Sequence, residues 1–98
     1  MRGGRGTMRF VAQVKVTLKR SILDPQGSAV KRALHAMSYD NVLDVRIGKH
    51  IEVTLTADSA ESAQRQVREI TDKLLANPVI EDFSFDLSEA GNDGGGAG

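Results

Sequence analysis

Residues 8–18 carry the pattern that most constrains how this chain can fold. The odd positions of this stretch are mostly polar, and every even position is apolar: Met8, Phe10, Ala12, Val14, Val16 and Leu18. Successive side chains of a β-strand point to opposite faces, so this alternation predicts a strand with one buried and one exposed face. A half-buried strand needs neighbouring strands and a covering layer, so the chain is expected to build a sheet covered on one side.

A first helix is predicted directly after this strand. Asp24 offers a side-chain acceptor to free helix N–H groups, and Pro25 suits the first helical position. Apolar residues then follow at helical spacing: Val30, Ala33, Leu34 and Met37. We expect this helix to run to about Tyr39, where a Ser-Tyr-Asp-Asn turn ends it.

A second helix is predicted with stronger support. Asp58 and Glu61 form a capping-box pattern before it, and Asn77-Pro78 stops it. Its apolar positions repeat at the spacing of one helix face: Ala60, Ala63, Val67, Ile70 and Leu74.

Three further strands are predicted from alternation. Leu43, Val45 and Ile47 define the second strand, and residues 51–57 define the third. Gly48-Lys49-His50 between them is compatible with a tight reversal, which predicts a hairpin. Residues 83–87 alternate again and predict the last strand.

The order strand-helix-strand therefore occurs twice. Two right-handed crossovers joined by a hairpin predict an α+β, ferredoxin-like βαββαβ fold, a four-stranded antiparallel sheet with both helices on one face. The other face would carry mixed polar side chains, namely Val11, Gln13, Lys15, Thr17, Glu52, Thr54, Thr56, Ser84 and Asp86. Such a face can stay solvated or pack against a second copy.

Glycine marks the expected ends of the domain. Eight of the ten glycines lie outside residues 8–87, so we predict a disordered extension over residues 1–7 and a disordered glycine-rich tail over residues 88–98. The single domain, residues 8–87, is small and would bury only about 60–65% of its unfolded surface. Self-association is therefore expected to add burial.

Composition argues against several classes of function. Thirteen basic and thirteen acidic residues give no net charge, and no basic, aromatic-rich stretch favours a nucleic-acid partner. The chain has no Cys and no apolar run long enough to cross a bilayer, so we expect a soluble cytoplasmic protein with no membrane partner.

The same residues offer no catalytic or metal-binding pattern. His35 and His50 have no second ligand at a suitable spacing, and they are interpreted as exposed histidines. Asp82 and Asp86 share a strand face but have no sign of burial, and Gly27 and Gly48 match no phosphate loop. We therefore predict no catalytic residue and no metal site.

Four stretches resemble one protein family, PurS, the small subunit of phosphoribosylformylglycinamidine (FGAM) synthase. The resemblance runs from Phe10 to about Leu87 and is carried by residues 16–19, 22–30, 44–49 and 73–82, which read VTLK, ILDPQGSAV, DVRIGK and KLLANPVIED. It implies a ferredoxin-like subunit that dimerises, sometimes as a pair of dimers. It also implies partners: a glutaminase subunit and a large ATP-dependent synthetase subunit of the same purine-synthesis complex.

The resemblance further implies that this subunit is not catalytic by itself. In the family it is thought to hold the complex together and to help ammonia pass from glutamine to formylglycinamide ribonucleotide. The chain would bind no cofactor, while ATP and Mg would be used by the synthetase subunit.

Candidate partner-binding residues follow from the matched motifs: Leu23, Asp24, Pro25, Gln26, Gly27, Arg46 and Lys49. Helix entry alone can explain Asp24, Pro25 and Gly27. No backbone rule requires Gln26, Arg46 or Lys49, so these three are favoured as contacts, with Lys19 and Arg20 nearby.

A different class of function also fits this fold. A ferredoxin-like regulatory module could hold an amino acid or a nucleotide at a dimer edge near Gly27. Saturable binding of a small molecule by the isolated chain would distinguish it from an assembly subunit.

Overall fold

The computed structural model describes residues 7–90. Its elements in chain order are β1 (Met8–Leu18), α1 (Pro25–Ala36), β2 (Gly48–Ala57), α2 (Ala60–Ile70) with a π-helical turn (Thr71–Leu75) at its end, and β3 (Glu81–Ala90). None of the helices in this part of the chain has the length and hydropathy that crossing a bilayer requires.

The three strands form one antiparallel sheet with β1 in the centre. The order is β2-β1-β3, and Val14 lies opposite Ile51 on one side and Phe85 on the other. This register places the apolar side chains of all three strands on one face of the sheet, as the alternation in the sequence predicts. The prediction of an α+β fold built on an antiparallel sheet with two helices is therefore confirmed at this level.

The core lies between that apolar face and α2. Val14 and Val16 of β1 are fully buried, and Ala63 and Val67 of α2 pack over the same region. On the opposite face, the predicted polar set is exposed or half-buried. Gln13 there donates to Glu52 over 3.0 Å.

The second helix begins one residue later than its capping-box pattern predicts. Ser59, rather than Asp58, is the N-cap, and its hydroxyl accepts from the Ser62 N–H over 3.1 Å. At the other end, the Ala76 N–H bonds to the Thr71 carbonyl, which is the i to i−5 pattern of a π turn. This wider turn ends the helix just before Asn77-Pro78.

The predicted hairpin over residues 48–50 is wrong for the single chain. These residues are the first part of β2, where Gly48 lies opposite Thr17, and residues 43–47 form no strand in residues 7–90. Odd positions are apolar throughout 43–57 except at Lys49, so the alternation continues unbroken and permits one straight segment. Gly48 instead allows β2 to lie close to β1, because a Cβ added at this residue would lie 2.2 Å from the Val16 carbonyl oxygen.

Helix α1 also departs from the prediction that both helices cover one face. Within the described residues, it packs extensively against neither the sheet nor α2. The radius of gyration is 18.0 Å, whereas a compact chain of this length would give about 12 Å. The predicted core stripe of α1 is consequently open, and Met37 is 63% exposed.

Helix α1 is shorter than predicted and ends in a tight reversal. Its C-cap is Met37, and Ser38 adopts a left-handed φ of 77°. This conformation lets the Tyr39 N–H reach the Leu34 carbonyl over 2.9 Å, which satisfies an otherwise free carbonyl of the last turn. The chain then returns along residues 39–47 toward the base of the helix.

The last strand is longer than predicted. Residues 88–90 belong to β3 and pair with residues 9–11 of β1, so the predicted tail begins three residues too early. The disorder predicted for residues 1–6 and 91–98 lies outside the described residues.

Candidate partner-binding corner between β1 and α1

Asp24 is the centre of the corner that follows β1. Its side chain is 5% exposed, and each carboxylate oxygen has a separate task. One oxygen accepts from the Gly27 N–H over 3.0 Å and caps α1, while the other accepts from the Ile47 N–H over 2.8 Å. A single side chain therefore ties the start of α1 to the segment that precedes β2.

These bonds also set the acidity of the carboxyl. Hydrogen bonds from the Gly27 and Ile47 N–H groups lower the pKa of Asp24 below its ordinary value, and the nearby positive charge of Arg46 adds to the effect. The carboxylate is therefore the form that the folded chain favours.

Gly27 allows the two backbone segments to lie in contact. An added Cβ would lie 2.2 Å from the Val45 carbonyl oxygen and 2.6 Å from an Asp24 carboxylate oxygen. Both distances are far below an ordinary van der Waals contact, so glycine is required here by packing.

Arg46 stabilises the same corner from the other side. Its guanidinium donates to the carbonyl oxygens of Leu18 and Lys19, each over 2.8 Å. Leu18 is the last residue of β1 and Lys19 follows it, so these bonds hold Arg46 against the end of the strand. A partner role for Arg46 remains a prediction, and the structure gives this side chain an internal role.

Gln26 and Lys49 lie together at a cleft of about 410 Å³ beside the corner. Both side chains are exposed, and Glu81 at the start of β3 lines the same cleft. The Lys49 Nζ lies 3.3 Å from the Leu75 carbonyl oxygen, a weak bond that a stronger acceptor could replace. The structure thus brings together two of the three residues favoured by sequence.

The remaining predicted residues border this cleft or lie next to it. Leu23 is 75% exposed, and Pro25 occupies the first turn of α1 with its ring exposed. Nearby, Lys19 pairs with Asp82 over 2.8 Å, and Arg20 lies 3.7 Å from Asp44. The corner therefore presents an apolar residue, an amide and several charges on one surface.

Neither histidine belongs to a metal-binding group. His35 Nε2 lies 2.8 Å from the Val42 carbonyl oxygen, and His50 Nε2 lies 2.6 Å from Gln13 Oε1. Residues 7–90 contain no cluster of three or more His, Asp or Glu side chains that could hold a metal ion.

Sequence reasoning missed a cleft that lies along α2. It has a volume of about 700 Å³ and is lined by Arg65, Arg68 and Phe83 among others. The Arg68 guanidinium carbon lies 5.3 Å from the centroid of the Phe85 ring, a cation–π contact that marks this side of α2 as the one facing β3. No spacing rule in the sequence predicts this pairing.

Comparisons with known proteins give one consistent answer. The family model described as PurS, phosphoribosylformylglycinamidine (FGAM) synthase, matches residues 11–89. The chain is 50% identical over 80 residues to the FGAM synthase subunit PurS of Bacillus subtilis, covering 82% of this chain and 94% of that one. It is 46% identical over 79 residues to the PurS subunit of Synechocystis, covering 81% and 79% respectively.

Solved structures agree with the sequence comparisons. Thermus thermophilus PurS aligns with a TM-score of 0.75 at 36% identity, over 85% of this chain and 99% of that one. A chain of the PurLQS structure from Thermotoga maritima aligns with a TM-score of 0.68 at 28% identity, over 85% and 96%. The resemblance found in the four sequence motifs is confirmed, and the chain belongs to the PurS family of FGAM synthase subunits.

Proposed function

We propose that this chain is the small, non-catalytic assembly subunit of FGAM synthase. It would join the glutaminase subunit to the ATP-dependent synthetase subunit and assist the transfer of ammonia from glutamine to formylglycinamide ribonucleotide. The observation that carries the proposal is the family match over residues 11–89, which spans nearly all of the described chain. The similarity to a chain of PurLQS supports assembly with two larger partners.

The polar groups of the corner are consistent with a structural role. Asp24 and Arg46 are both bonded to backbone groups of their own chain. A catalytic acid or base must instead reach a substrate proton from an accessible position. We therefore propose that reaction chemistry takes place on the larger subunits.

The corner is our proposed contact surface for the synthetase subunit. Gln26 and Lys49 would make its polar contacts, because both are exposed at the same cleft. Leu23 would add an apolar contact. Asp24, Pro25, Gly27 and Arg46 would hold the surface in shape.

We further propose that this chain binds no cofactor of its own. ATP and Mg would be bound by the synthetase subunit, and the complex would operate in the cytoplasm. Removing Mg with a chelator is then expected to leave the melting temperature of the isolated chain unchanged.

The complete ferredoxin-like architecture is also part of the proposal. Residues 43–47 would supply the fourth strand of the sheet once the chain self-associates, as a homodimer or a pair of dimers. Their apolar alternation supports this assignment.

The test is co-elution of the purified chain with the two larger subunits, measured by size-exclusion chromatography with light scattering. A ternary complex, together with no glutaminase or synthase turnover by the isolated chain, is the expected result. Failure of the three proteins to associate would refute the assembly role. Saturable binding of an amino acid or nucleotide by the isolated chain, measured by calorimetry, would instead favour the regulatory module.

A further inference from the structure

Strand β3 lies at one edge of the sheet, and within residues 7–90 it pairs only with β1. It runs over ten residues, Glu81–Ala90, in one continuous register, so no bulge bends it away from its free side. The strand also contains no Lys and no Pro. Long edge strands without these protective features readily accept another strand, so β3 is a candidate docking edge.

The bond from the Lys19 N–H to the Ile80 carbonyl shows which backbone groups face the free side of β3. Its length is 2.8 Å, and the register of β1 and β3 places these two residues directly opposite each other. Backbone groups alternate in direction along a strand, so even-numbered residues of β3 bond to β1 and odd-numbered residues point outward. The outward set is Glu81, Phe83, Phe85, Leu87 and Glu89.

The three middle residues of this set have free backbone groups. The Glu81 N–H is already used, because it bonds to the Asn77 carbonyl over 2.7 Å. Within residues 7–90, no such bond engages the outward groups of Phe83, Phe85 and Leu87. Each of these residues offers one donor and one acceptor, so an added strand could form about six hydrogen bonds here.

The same three residues carry apolar side chains that the core covers incompletely. Phe83, Phe85 and Leu87 are half-buried, although they pack against the core. Phe83 also lines the cleft of about 700 Å³ along α2. A strand added about 4.8 Å outside β3 would place its own inward side chains beside these residues and at the cleft. Those side chains are expected to be apolar.

The charges of β3 are all negative. Glu81, Asp82, Asp86 and Glu89 give the strand four carboxylates and no basic residue. Lys19 pairs with Asp82 over 2.8 Å, but Asp86 and Glu89 take part in none of the ion pairs of residues 7–90. Asp86 is exposed on the polar face of the sheet. Opposite charges on neighbouring strands stabilise their pairing, so a partner strand is expected to carry Lys or Arg on this face.

We propose that the free edge of β3 binds an extended segment of the glutaminase subunit, in which apolar side chains alternate with basic ones. The segment would form backbone hydrogen bonds with Phe83, Phe85 and Leu87. Its apolar side chains would enter the cleft along α2, and its basic side chains would lie beside Asp86. The proposal rests on the joining role in the proposed function. The corner is the contact surface for the synthetase subunit, and a subunit that joins two proteins needs a second surface.

A second copy of this chain fits the edge poorly. Pairing of β3 with another β3 would bring together two strands that each carry four carboxylates and no base. Like charges on neighbouring strands destabilise their pairing. Residues 1–6, which read MRGGRG, carry two arginines but no alternating apolar side chains, so they do not match the edge either. The carboxylates of β3 therefore favour a basic strand from another protein.

Amide hydrogen exchange tests the backbone pairing directly. In the isolated chain the N–H groups of Phe83, Phe85 and Leu87 point outward, whereas those of Ser84 and Asp86 point toward β1. When the glutaminase subunit joins the complex of the full chain with the synthetase subunit, exchange at the three outward amides should slow about tenfold or more. The two inward amides are the internal reference. Unchanged exchange at the outward amides in the ternary complex would overturn the proposal.

A proline variant with a matched control tests the same edge by binding. Leu87→Pro removes an outward N–H without removing a bond to β1, and edge strands tolerate proline at such positions. Leu87→Ala shortens the same side chain but keeps the N–H. We expect Leu87→Pro to weaken calorimetric binding of the glutaminase subunit to the chain–synthetase complex about tenfold more than Leu87→Ala does.

Three results with this pair of variants would contradict the proposal. Equal binding of the glutaminase subunit by Leu87→Pro and Leu87→Ala would exclude pairing at the edge. Loss of the synthetase subunit from Leu87→Pro, with the glutaminase subunit retained, would assign the edge to the synthetase subunit. A lower oligomer mass of isolated Leu87→Pro than of isolated Leu87→Ala, measured by light scattering, would show that a second copy occupies the edge.

Charge reversal tests the partner's chemistry and leaves the core untouched. Asp86→Lys reverses an exposed charge on β3, and Asp40→Lys makes the same change at an exposed position outside the sheet. We expect Asp86→Lys to weaken binding of the glutaminase subunit about tenfold and Asp40→Lys to have little effect. Added salt should reduce the difference between the two variants. Equal effects of the two variants would contradict a basic partner strand.

Failure of this proposal would be distinguishable from failure of the proposed function. If the parent chain recruits both larger subunits and the β3 variants recruit them equally well, the edge pairing is refuted and the assembly role stands. If the parent chain recruits neither subunit, both are refuted.

Discussion

Substitution of Gly27 by alanine is the sharpest test of the corner between β1 and α1. The added Cβ would lie 2.2 Å from the Val45 carbonyl oxygen, whereas ordinary contact begins near 3.4 Å. The two backbones would therefore have to separate by about 1 Å, and overpacking of this kind costs about 1–3 kcal/mol. Movement of Val45 would also strain the neighbouring bond from Ile47 to Asp24.

The expected change in stability has the opposite sign to that of an ordinary Gly-to-Ala substitution in a helix. Gly-to-Ala substitution inside a helix normally stabilises by about 1 kcal/mol, so a net loss can arise only from the close approach. For a domain of this size each kcal/mol corresponds to about 4–8 °C in melting temperature. Gly27→Ala is therefore expected to melt several degrees below the parent chain.

Thermal unfolding followed by circular dichroism measures this effect at one fixed protein concentration, because self-association makes the melting temperature concentration-dependent. Ala29→Gly is the matched control, since Ala29 is an exposed residue of the same helix and reports helix propensity without a clash. It should lose about 0.5–1 kcal/mol. A Gly27→Ala variant as stable as the parent chain, or more stable, would refute the packing described for this corner.

Three further substitutions distinguish residues that contact a partner from residues that stabilise the fold. Gln26→Ala should weaken binding to the synthetase subunit, measured by calorimetry, while the free energy of unfolding changes by less than about 0.5 kcal/mol because the side chain is exposed. A large loss of stability would instead show that Gln26 has a structural role. Asp24→Asn can still cap α1 but can lose the bond from the Ile47 N–H. The folded-state pKa of Asp24 is lowered from the ordinary value of 3.8. The carboxylate therefore stabilises the fold at pH values above 3.8, and this stabilisation is lost as the pH falls through the folded-state pKa. The melting-temperature difference between parent and Asp24→Asn should thus shrink below about pH 4, and a difference independent of pH would contradict a depressed pKa. Val67→Ala should cost about 2 kcal/mol in denaturant unfolding because this side chain is fully buried, and Val79→Ala, at an exposed site, is its control.

Local patterns predicted the elements whose environment lies within one chain. The alternation of residues 8–18 gave the central strand because both its neighbours and its covering helix come from the same copy. The stripe of Ala63 and Val67 likewise predicted the buried face of α2.

The prediction failed at residues 43–50 and at α1, where local patterns do not determine which elements lie next to each other. Alternation over residues 43–57 is compatible with both a hairpin and one straight strand, and periodicity cannot choose between them. The stripe of α1 correctly indicated an apolar helix face, but spacing carries no information on which surface covers it. In the structure Met37 remains largely exposed.

As with the fold, the local features of the candidate site could be predicted from the sequence, but its contacts between distant residues could not. The cap formed by Asp24 follows from residue type and position at the start of a helix, and the structure confirms it. The second bond of Asp24 to Ile47, and the bonds of Arg46 to Leu18 and Lys19, join residues far apart in sequence. No local rule predicts such contacts, so sequence favoured Arg46 as a partner contact without finding its internal role.

Reconstitution of FGAM synthase from separately purified subunits tests the central claim most directly. The measurement is glutamine-dependent formation of formylglycinamidine ribonucleotide, with this chain present, omitted or assayed by itself. An assembly subunit predicts product only when all three proteins are present, and no turnover by the isolated chain. An undiminished rate without this chain, or turnover by the chain alone, would contradict the account.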